Sequence, residues 1–145
     1  MIADDGQPLL SDFGFSRIRH EVTRTRSTNH EGGNQRYTAP ELLDGPEHFR
    51  TSKASDVYAL AMTYLSAGTS QQPFAIYKNT NKATKAVRER VRPPRVDKIN
   101  QLSLSDARKF WTILEAMWCQ EPSDRLSTEE VGHRMEVLLG PFNSS

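Results

Sequence analysis

The sequence predicts a mainly α-helical domain, and three features of the chain predict it. Apolar residues recur at helical spacing in four separate stretches after Pro40. The short extended runs Met1–Ala3 and Gln7–Leu10 flank Asp4-Asp5-Gly6, a hairpin signal in which the glycine supplies a positive φ. Between hairpin and helices, from Arg17 to Gln35, the apolar pattern disappears. That stretch carries Arg17, Arg19, Arg24 and Arg26, interleaved with Thr23, Thr25, Ser27 and Thr28, and it runs into Gly32-Gly33-Asn34. A loop of this length in a small domain is functional or disordered.

The helices follow in order. Ser55 is positioned to cap a helix in which Val57, Leu60, Ala61, Tyr64 and Leu65 form an apolar stripe, ending near Gly68. Gln72-Pro73-Phe74 breaks the pattern. Lys82–Arg92 reads as a basic, weakly amphipathic helix stopped by Pro93-Pro94. Ser105 opens a third helix with Phe110, Ile113, Leu114, Met117 and Trp118 on one face, ended by Pro122. Ser127-Thr128-Glu129-Glu130 matches a capping box and starts the last helix, with Val131, Met135, Leu138 and Leu139.

Composition narrows the functional classes. The 145 residues suit one domain. Hydrophobic residues make up 36% of the chain, enough for a modest core. A formal charge of +1 gives no global attraction to nucleic acid or anionic lipid, so neither is expected as a partner. The longest apolar stretch, Val57–Leu65, is too short to span a bilayer. Asp4 and Asp5 stand where a signal peptide would be basic. Cys119 is the single cysteine, which excludes an internal disulfide framework; the expected setting is intracellular and cytoplasmic. His20, His30, His48 and His133 lack metal-ligand spacing. Trp111 and Trp118 read as core residues.

Two tripeptides bracket the long loop: Asp12-Phe13-Gly14 after the expected strand, and Ala39-Pro40-Glu41 before the first helix. In this order, with a Ser/Thr-rich loop between them, they resemble the activation segment of protein kinases, Ser/Thr-specific or tyrosine-kinase-like. The resemblance continues through Ser55-Asp56-Val57-Tyr58-Ala59-Leu60, Pro73-Phe74, Arg92-Pro93-Pro94 and the closing Trp118, Glu121-Pro122 and Arg125. It covers essentially the whole chain: residues 1–140 as a partial kinase domain, with the activation segment at about 12–41 and a tail at 141–145.

The resemblance implies a role for each matching residue. Asp12 would hold magnesium, because that ion takes hard oxygen ligands and bridges nucleotide phosphates. Phe13 would fill a hydrophobic site and Gly14 would allow a sharp turn, so Asp12, Phe13 and Gly14 form the expected cofactor-binding motif. Tyr37 and Thr38 would form the shelf for a protein substrate. Thr23, Thr25, Ser27 and Thr28 would be candidate phosphosites. Asp56 would anchor the catalytic loop, and Glu41 and Arg125 would form a buried ion pair. Leu126 departs from the family's usual proline.

The chain contains no G-x-G-x-x-G loop, and its single His-Arg pair, His133-Arg134, is followed by Met135. The base aspartate, the second metal-binding asparagine and the phosphate-pairing lysine, which the family places before the metal motif, are not in this sequence. The expectation is therefore the large helical lobe with a remnant hairpin, lacking the small lobe and the catalytic loop. ATP and magnesium would serve the parent kinase, with binding by this chain alone not expected. A central helix without those elements should expose an apolar patch and leave the chain marginally stable.

Two functional readings follow. One is a kinase domain whose parent transfers the ATP γ-phosphoryl group to protein Ser/Thr, or Tyr, hydroxyls. The other is a non-catalytic interaction module whose helical lobe docks partners. Asn34, where Ser/Thr kinases usually place threonine, favours the module. Asp12, Asp56, Glu41 and Arg125 favour the enzyme.

Overall fold

The first helix, α1, begins three residues earlier than the sequence pattern suggests. In this computed structural model, which describes residues 35–43, 51–96 and 98–140, α1 spans Lys53–Thr69 and Ser52 is its N-cap. Ser55 is the third residue of a capping box: the Ser52 hydroxyl accepts from the Ser55 amide, and the Ser55 hydroxyl accepts from the Ser52 amide. A serine at either position satisfies the same orphan donors, so composition could not choose between them. The expected hairpin, the metal motif, the Ser/Thr-rich loop and the tail lie outside the described residues.

Helix α1 continues through Gly68 to a left-handed Ser70. The helix thus ends one residue past Gly68, near the expected position. A Cβ built there would meet Ile99 Cγ2 at 3.0 Å and Phe110 at 3.3 Å, and the Gly68 carbonyl accepts from the Asn100 amide at 2.7 Å. The glycine lets the 98–101 segment lie directly on the helix.

Helix α2 spans Thr80–Arg88, with Asn79 as N-cap, so it begins two residues before the expected Lys82 and ends four residues before the expected Arg92. Pro93-Pro94 does not end it. Arg90 adopts φ 64°, and the Val91 and Arg90 amides reach back to the Ala86 and Val87 carbonyls. This is a Schellman closure with arginine at the position usually given to glycine, and for that reason it carried no sequence signal. Helix α3 spans Leu104–Met117 from an N-cap at Ser103, not Ser105. It ends at Trp118, four residues before Pro122, which instead starts a 3₁₀ turn at Pro122–Asp124. Helix α4, Thr128–Leu139, has the expected Ser127–Glu130 capping box.

Helix α1 is central: it packs on α3, on the 3₁₀ turn Gln35–Tyr37 and on the Pro122–Asp124 turn, while α3 also packs on α4. Tyr58, Met62 and Leu65 from α1 meet Val87, Leu114, Met117, Phe74 and Trp118 in one core, with Val131 and Met135 closing it from α4. Trp111 and Trp118 meet edge to face at 5.8 Å, and the Trp111 indole donates to the Val96 carbonyl at 2.9 Å.

The expected apolar patch on α1 is not present. Val57, Tyr58, Ala61, Met62 and Leu65 are buried, and the exposed large hydrophobics among the described residues lie elsewhere, at Ile76, Val91, Val96, Leu104, Val137 and Leu139. The helix is covered by α3 and by the Gln35–Tyr37 and Pro122–Asp124 turns.

The close approach at Gly68 gives a direct test. Gly68→Val places branched methyls against Ile99 and Phe110 and should destabilise the chain by about 1–3 kcal/mol in urea unfolding. An unchanged midpoint would show that the 98–101 segment does not bear on the helix.

Candidate functional site: an ion-pair latch beneath a substrate shelf

Arg125 sits between the Pro122–Asp124 turn and α4, in an extended conformation that sends its side chain inward. Its side chain has no solvent exposure, and Glu41, 84 residues earlier in the chain, is only 24% exposed at the side chain. The two join in a bidentate pair, Nη1 to Oε1 and Nη2 to Oε2, both at 2.7 Å. The remaining guanidinium hydrogens are also used. Nη1 donates to the Ala54 carbonyl at 2.9 Å, Nη2 to Gln120 at 3.2 Å and Nε to Cys119 at 2.9 Å. All five donors of the arginine have acceptors, which is what permits its burial.

Glu41 reaches this position because Ala39-Pro40-Glu41 is folded as a 3₁₀ turn, Pro40–Leu42, with proline at its first residue. The pair therefore ties that turn to the start of α1, through Ala54, and to the chain entering α4.

Tyr58 lies between this arginine and a second one. The Arg125 guanidinium carbon is 5.2 Å from the ring centroid, and that of Arg92 is 5.7 Å. Arg92 is held by the Trp118 carbonyl at 3.0 Å and by Gln120 Oε1 at 2.5 Å. The Tyr58 ring is fully buried, and its hydroxyl finds no hydrogen-bond partner. Burial pushes the phenol up to about 12, against the opposing pull of Arg92 and Arg125.

The shelf residues lie directly before the latch. The Tyr37 hydroxyl pairs with Ser66 Oγ of α1 at 2.9 Å, and the Thr38 amide closes the Gln35–Tyr37 turn by donating to the Gln35 carbonyl. Gln35 Oε1 accepts from the Thr84 hydroxyl of α2 at 3.1 Å. Arg36 is buried and donates to the carbonyls of Pro73 at 3.0 Å, Phe74 at 2.8 Å and Tyr77 at 2.5 Å. Phe74 has φ 56°, a costly conformation for a bulky residue, and the guanidinium on its carbonyl helps hold it there. Arg88 of α2 donates to the Leu43 carbonyl. The shelf is thus fixed to both α1 and α2.

Asp56 lies in the first turn of α1 with its side chain exposed. It is not drawn into the Glu41–Arg125 network. Asp12, Phe13, Gly14, Thr23, Thr25, Ser27 and Thr28 lie outside the described residues. Sequence reasoning assigned no role to Arg36 and did not single out Tyr58 or Arg92, yet these three organise the surroundings of the latch. Arg36 carried no sequence signal for burial; for Tyr58 the available signal was its place beside Val57 and one turn before Ala61 and Met62 on the buried face of α1. Among the described residues no cluster of His, Cys, Asp or Glu could hold a metal ion, and no helix is long and apolar enough to cross a membrane.

This helical lobe, with its latch closing an Ala-Pro-Glu turn, is the arrangement the kinase resemblance implies, and the family comparison agrees: the protein kinase domain matches residues 1–135. The chain belongs to the protein kinase family. It is similar to the dual specificity protein kinase shkE of Dictyostelium discoideum, 28% identical over 96% of this chain and 18% of that protein. It is likewise similar to the serine/threonine-protein kinase RUNKEL of Arabidopsis thaliana, 28% identical over 92% of this chain and 9% of that protein. A third relative is the serine/threonine-protein kinase TNNI3K of Mus musculus, 27% identical over 96% of this chain and 16% of that protein. The chain spans less than a fifth of the length of each of these three.

Two substitutions separate the roles of the buried groups. Arg125→Met removes the partner of Glu41 and the donor to three carbonyls, and should cost about 3–5 kcal/mol in chemical denaturation. A cost under about 1 kcal/mol would mark the pair as an ordinary surface contact. Tyr58→Phe removes a hydroxyl without a partner and should be neutral or stabilising by up to about 1 kcal/mol at neutral pH. The Tyr58 phenol is raised from 10.0 to about 12 in the folded chain, so the stability tied to its proton is complete below pH 10. That stability is lost as pH rises from 10 toward 12. The alkaline loss should therefore be shallower in Tyr58→Phe, measured by urea midpoints across that range.

Proposed function

We propose that this chain is the helical lobe of a kinase whose parent activity is transfer of the ATP γ-phosphoryl group to Ser or Thr hydroxyls of a protein, with Tyr as a further acceptor class. The observation that carries this reading is the latch. The bidentate Glu41–Arg125 pair fastens the turn that directly follows Tyr37-Thr38, and so supports a rigid surface on which an extended substrate chain could be laid. Catalysis of phosphoryl transfer is largely positioning and electrostatics, and a fixed shelf serves the first. The relatives, two serine/threonine kinases and one dual specificity kinase, support the acceptor class.

Within this reading Asp12 holds magnesium, because a carboxylate supplies the hard oxygen ligand that ion takes. Bound magnesium would neutralise charge on the nucleotide phosphates. Phe13 and Gly14 set the position of that carboxylate. Asp56, exposed at the start of α1, presents a carboxylate able to accept from backbone amides of a catalytic loop. Thr23, Thr25, Ser27 and Thr28 are sites where an added phosphate would meet the loop arginines Arg24 and Arg26. An intracellular, cytoplasmic setting suits an ATP-dependent enzyme.

The second reading, a non-catalytic docking module, is favoured by Asn34 in the place of the usual threonine. Both readings give the same expectation for the 145 residues alone. The purified chain should show no ATP-dependent phosphorylation of generic protein substrates, because the base aspartate, the phosphate-pairing lysine and one metal ligand are not among its residues. Phosphate incorporation above background that is abolished by Asp12→Ala would overturn that expectation. The same Asp12→Ala change in the full-length gene product separates the readings: loss of activity supports the enzyme, and absence of activity in both forms supports the module.

A further inference from the structure

Charge is distributed unevenly along this chain. Between Lys78 and Lys98 stand eight basic residues, Lys78, Lys82, Lys85, Arg88, Arg90, Arg92, Arg95 and Lys98, against two acidic ones, Glu89 and Asp97. That segment is +6 within a chain whose total is +1, so the remainder is −5. Several of these charges are used internally. Arg92 is held by Trp118 and Gln120, Arg95 pairs with Glu115 at 2.9 Å, Arg90 approaches Glu121 at 3.5 Å, and Arg88 reaches Leu43. Lys78 and Lys82 are exposed and make no ion pair with any described residue, and Lys85 has only a 3.6 Å contact to Glu89 across exposed side chains.

Beside these lysines is an apolar residue turned to solvent. Ile76 is 66% exposed, and it lies on the turn whose carbonyls at Pro73, Phe74 and Tyr77 are clamped by Arg36. Ala75, Ile76, Pro93, Pro94 and Val96 line a shallow depression there. The turn leads through Lys78 directly into α2, where Ala83, Thr84, Ala86 and Val87 are buried and Lys82 and Lys85 face outward. The N-terminal end of α2 adds its own partial positive charge. The Arg36 clamp makes the turn a fixed platform, so an exposed isoleucine on it is not a side chain that can fold away.

We propose that Ile76, Lys78 and Lys82 form a docking surface for an acidic segment of another protein, one in which an apolar side chain stands among carboxylates. The carboxylates would meet Lys78 and Lys82, with Lys85 at the edge, and the apolar side chain would cover Ile76 and the Pro94–Val96 wall. Opposite charge guides such encounters, and a single desolvated apolar anchor gives them residence time. A nucleic-acid backbone would also satisfy the lysines. It would leave Ile76 unused, because single strands stack on aromatic faces and the exposed apolar side chain here is aliphatic. The surface shares no residue with the latch, and the inference stands without the phosphoryl-transfer reading.

The test uses the 145-residue chain and a fluorescently labelled peptide of glutamates around a central leucine, followed by anisotropy. The chain should bind it saturably, and the affinity should fall by at least about tenfold between about 50 and 500 mM salt. Lys78→Glu combined with Lys82→Glu should weaken binding by at least about tenfold, and Ile76→Ser by about three- to tenfold with little change in salt dependence. Replacing the peptide leucine by serine should remove the difference between the Ile76→Ser chain and the unaltered one. All three positions are exposed, so the variants should keep the helical circular dichroism of the parent; Lys78→Gln with Lys82→Gln provides a milder second reading of the charge effect. The proposal is overturned if the peptide does not bind at low salt, or if both lysine variants bind it unchanged. It is also overturned if a single-stranded oligonucleotide binds more tightly than the peptide and Ile76→Ser leaves peptide binding unaltered.

Discussion

A buried arginine is tolerated only when its charge is met and each of its hydrogens has an acceptor. Arg125 satisfies that condition with the two oxygens of Glu41 and the carbonyls of Ala54, Cys119 and Gln120. These acceptors come from three stretches that are distant in the chain: the Pro40–Leu42 turn, the first residues of α1, and the link between α3 and α4. Displacing any one of them strands part of a buried guanidinium. The rest of the lobe is consistent with this requirement. Tyr58 supplies an aromatic face to Arg125, and Arg92 stacks against the same ring at 5.7 Å while bonding to Trp118 and Gln120. Buried ion pairs often add little net stability compared with apolar side chains of the same size, but the geometry of this one specifies which segments meet.

Arg36 plays a comparable part on the other side of the shelf. By donating to Pro73, Phe74 and Tyr77 it fixes a turn in which Phe74 takes a left-handed conformation. The shelf residues Tyr37 and Thr38 therefore stand between two buried arginine networks, one directed to the 73–77 turn and the other to α4. Neither network is local in sequence. A change in either would be felt at Tyr37 and Thr38; under the proposed function, that is a physical route by which distant residues would affect how a substrate chain is held.

Much of the helical architecture was legible in the sequence because its signals are local. The α4 capping box sits where Ser127 and Glu130 place it, and the apolar faces of α1 and α3 follow their spacing. The errors were also local. Ser52 and Ser55, or Ser103 and Ser105, are chemically equivalent caps, and only the packing of the preceding segment selects one. The end of α2 was misread because a left-handed Arg90 closes it without glycine, and proline downstream drew attention to the wrong position. The helix ends one residue past Gly68, near the expected position, but the close approach of Gly68 to Ile99 carried no sequence signal. The meeting of Glu41 and Arg125 was expected only through family resemblance, since no periodicity links residues 84 apart. Arg36 was missed because a charged residue in a polar stretch carries no sign that its guanidinium will be buried among carbonyls. The expected exposed patch on α1 failed because burial of its stripe is supplied by α3 and the adjoining turns.

Under the proposed function, this arrangement would serve as a shelf for a protein chain, held from below by an ion pair and from the side by a clamped turn. The central claim is that Glu41 and Arg125 stabilise the lobe through each other and not as two independent surface charges. A double-mutant cycle with Glu41→Gln and Arg125→Met, read by urea unfolding of all four forms, measures this directly. The account predicts a coupling energy of about 2 kcal/mol or more. A coupling below about 0.5 kcal/mol, with the single costs simply adding, would contradict it.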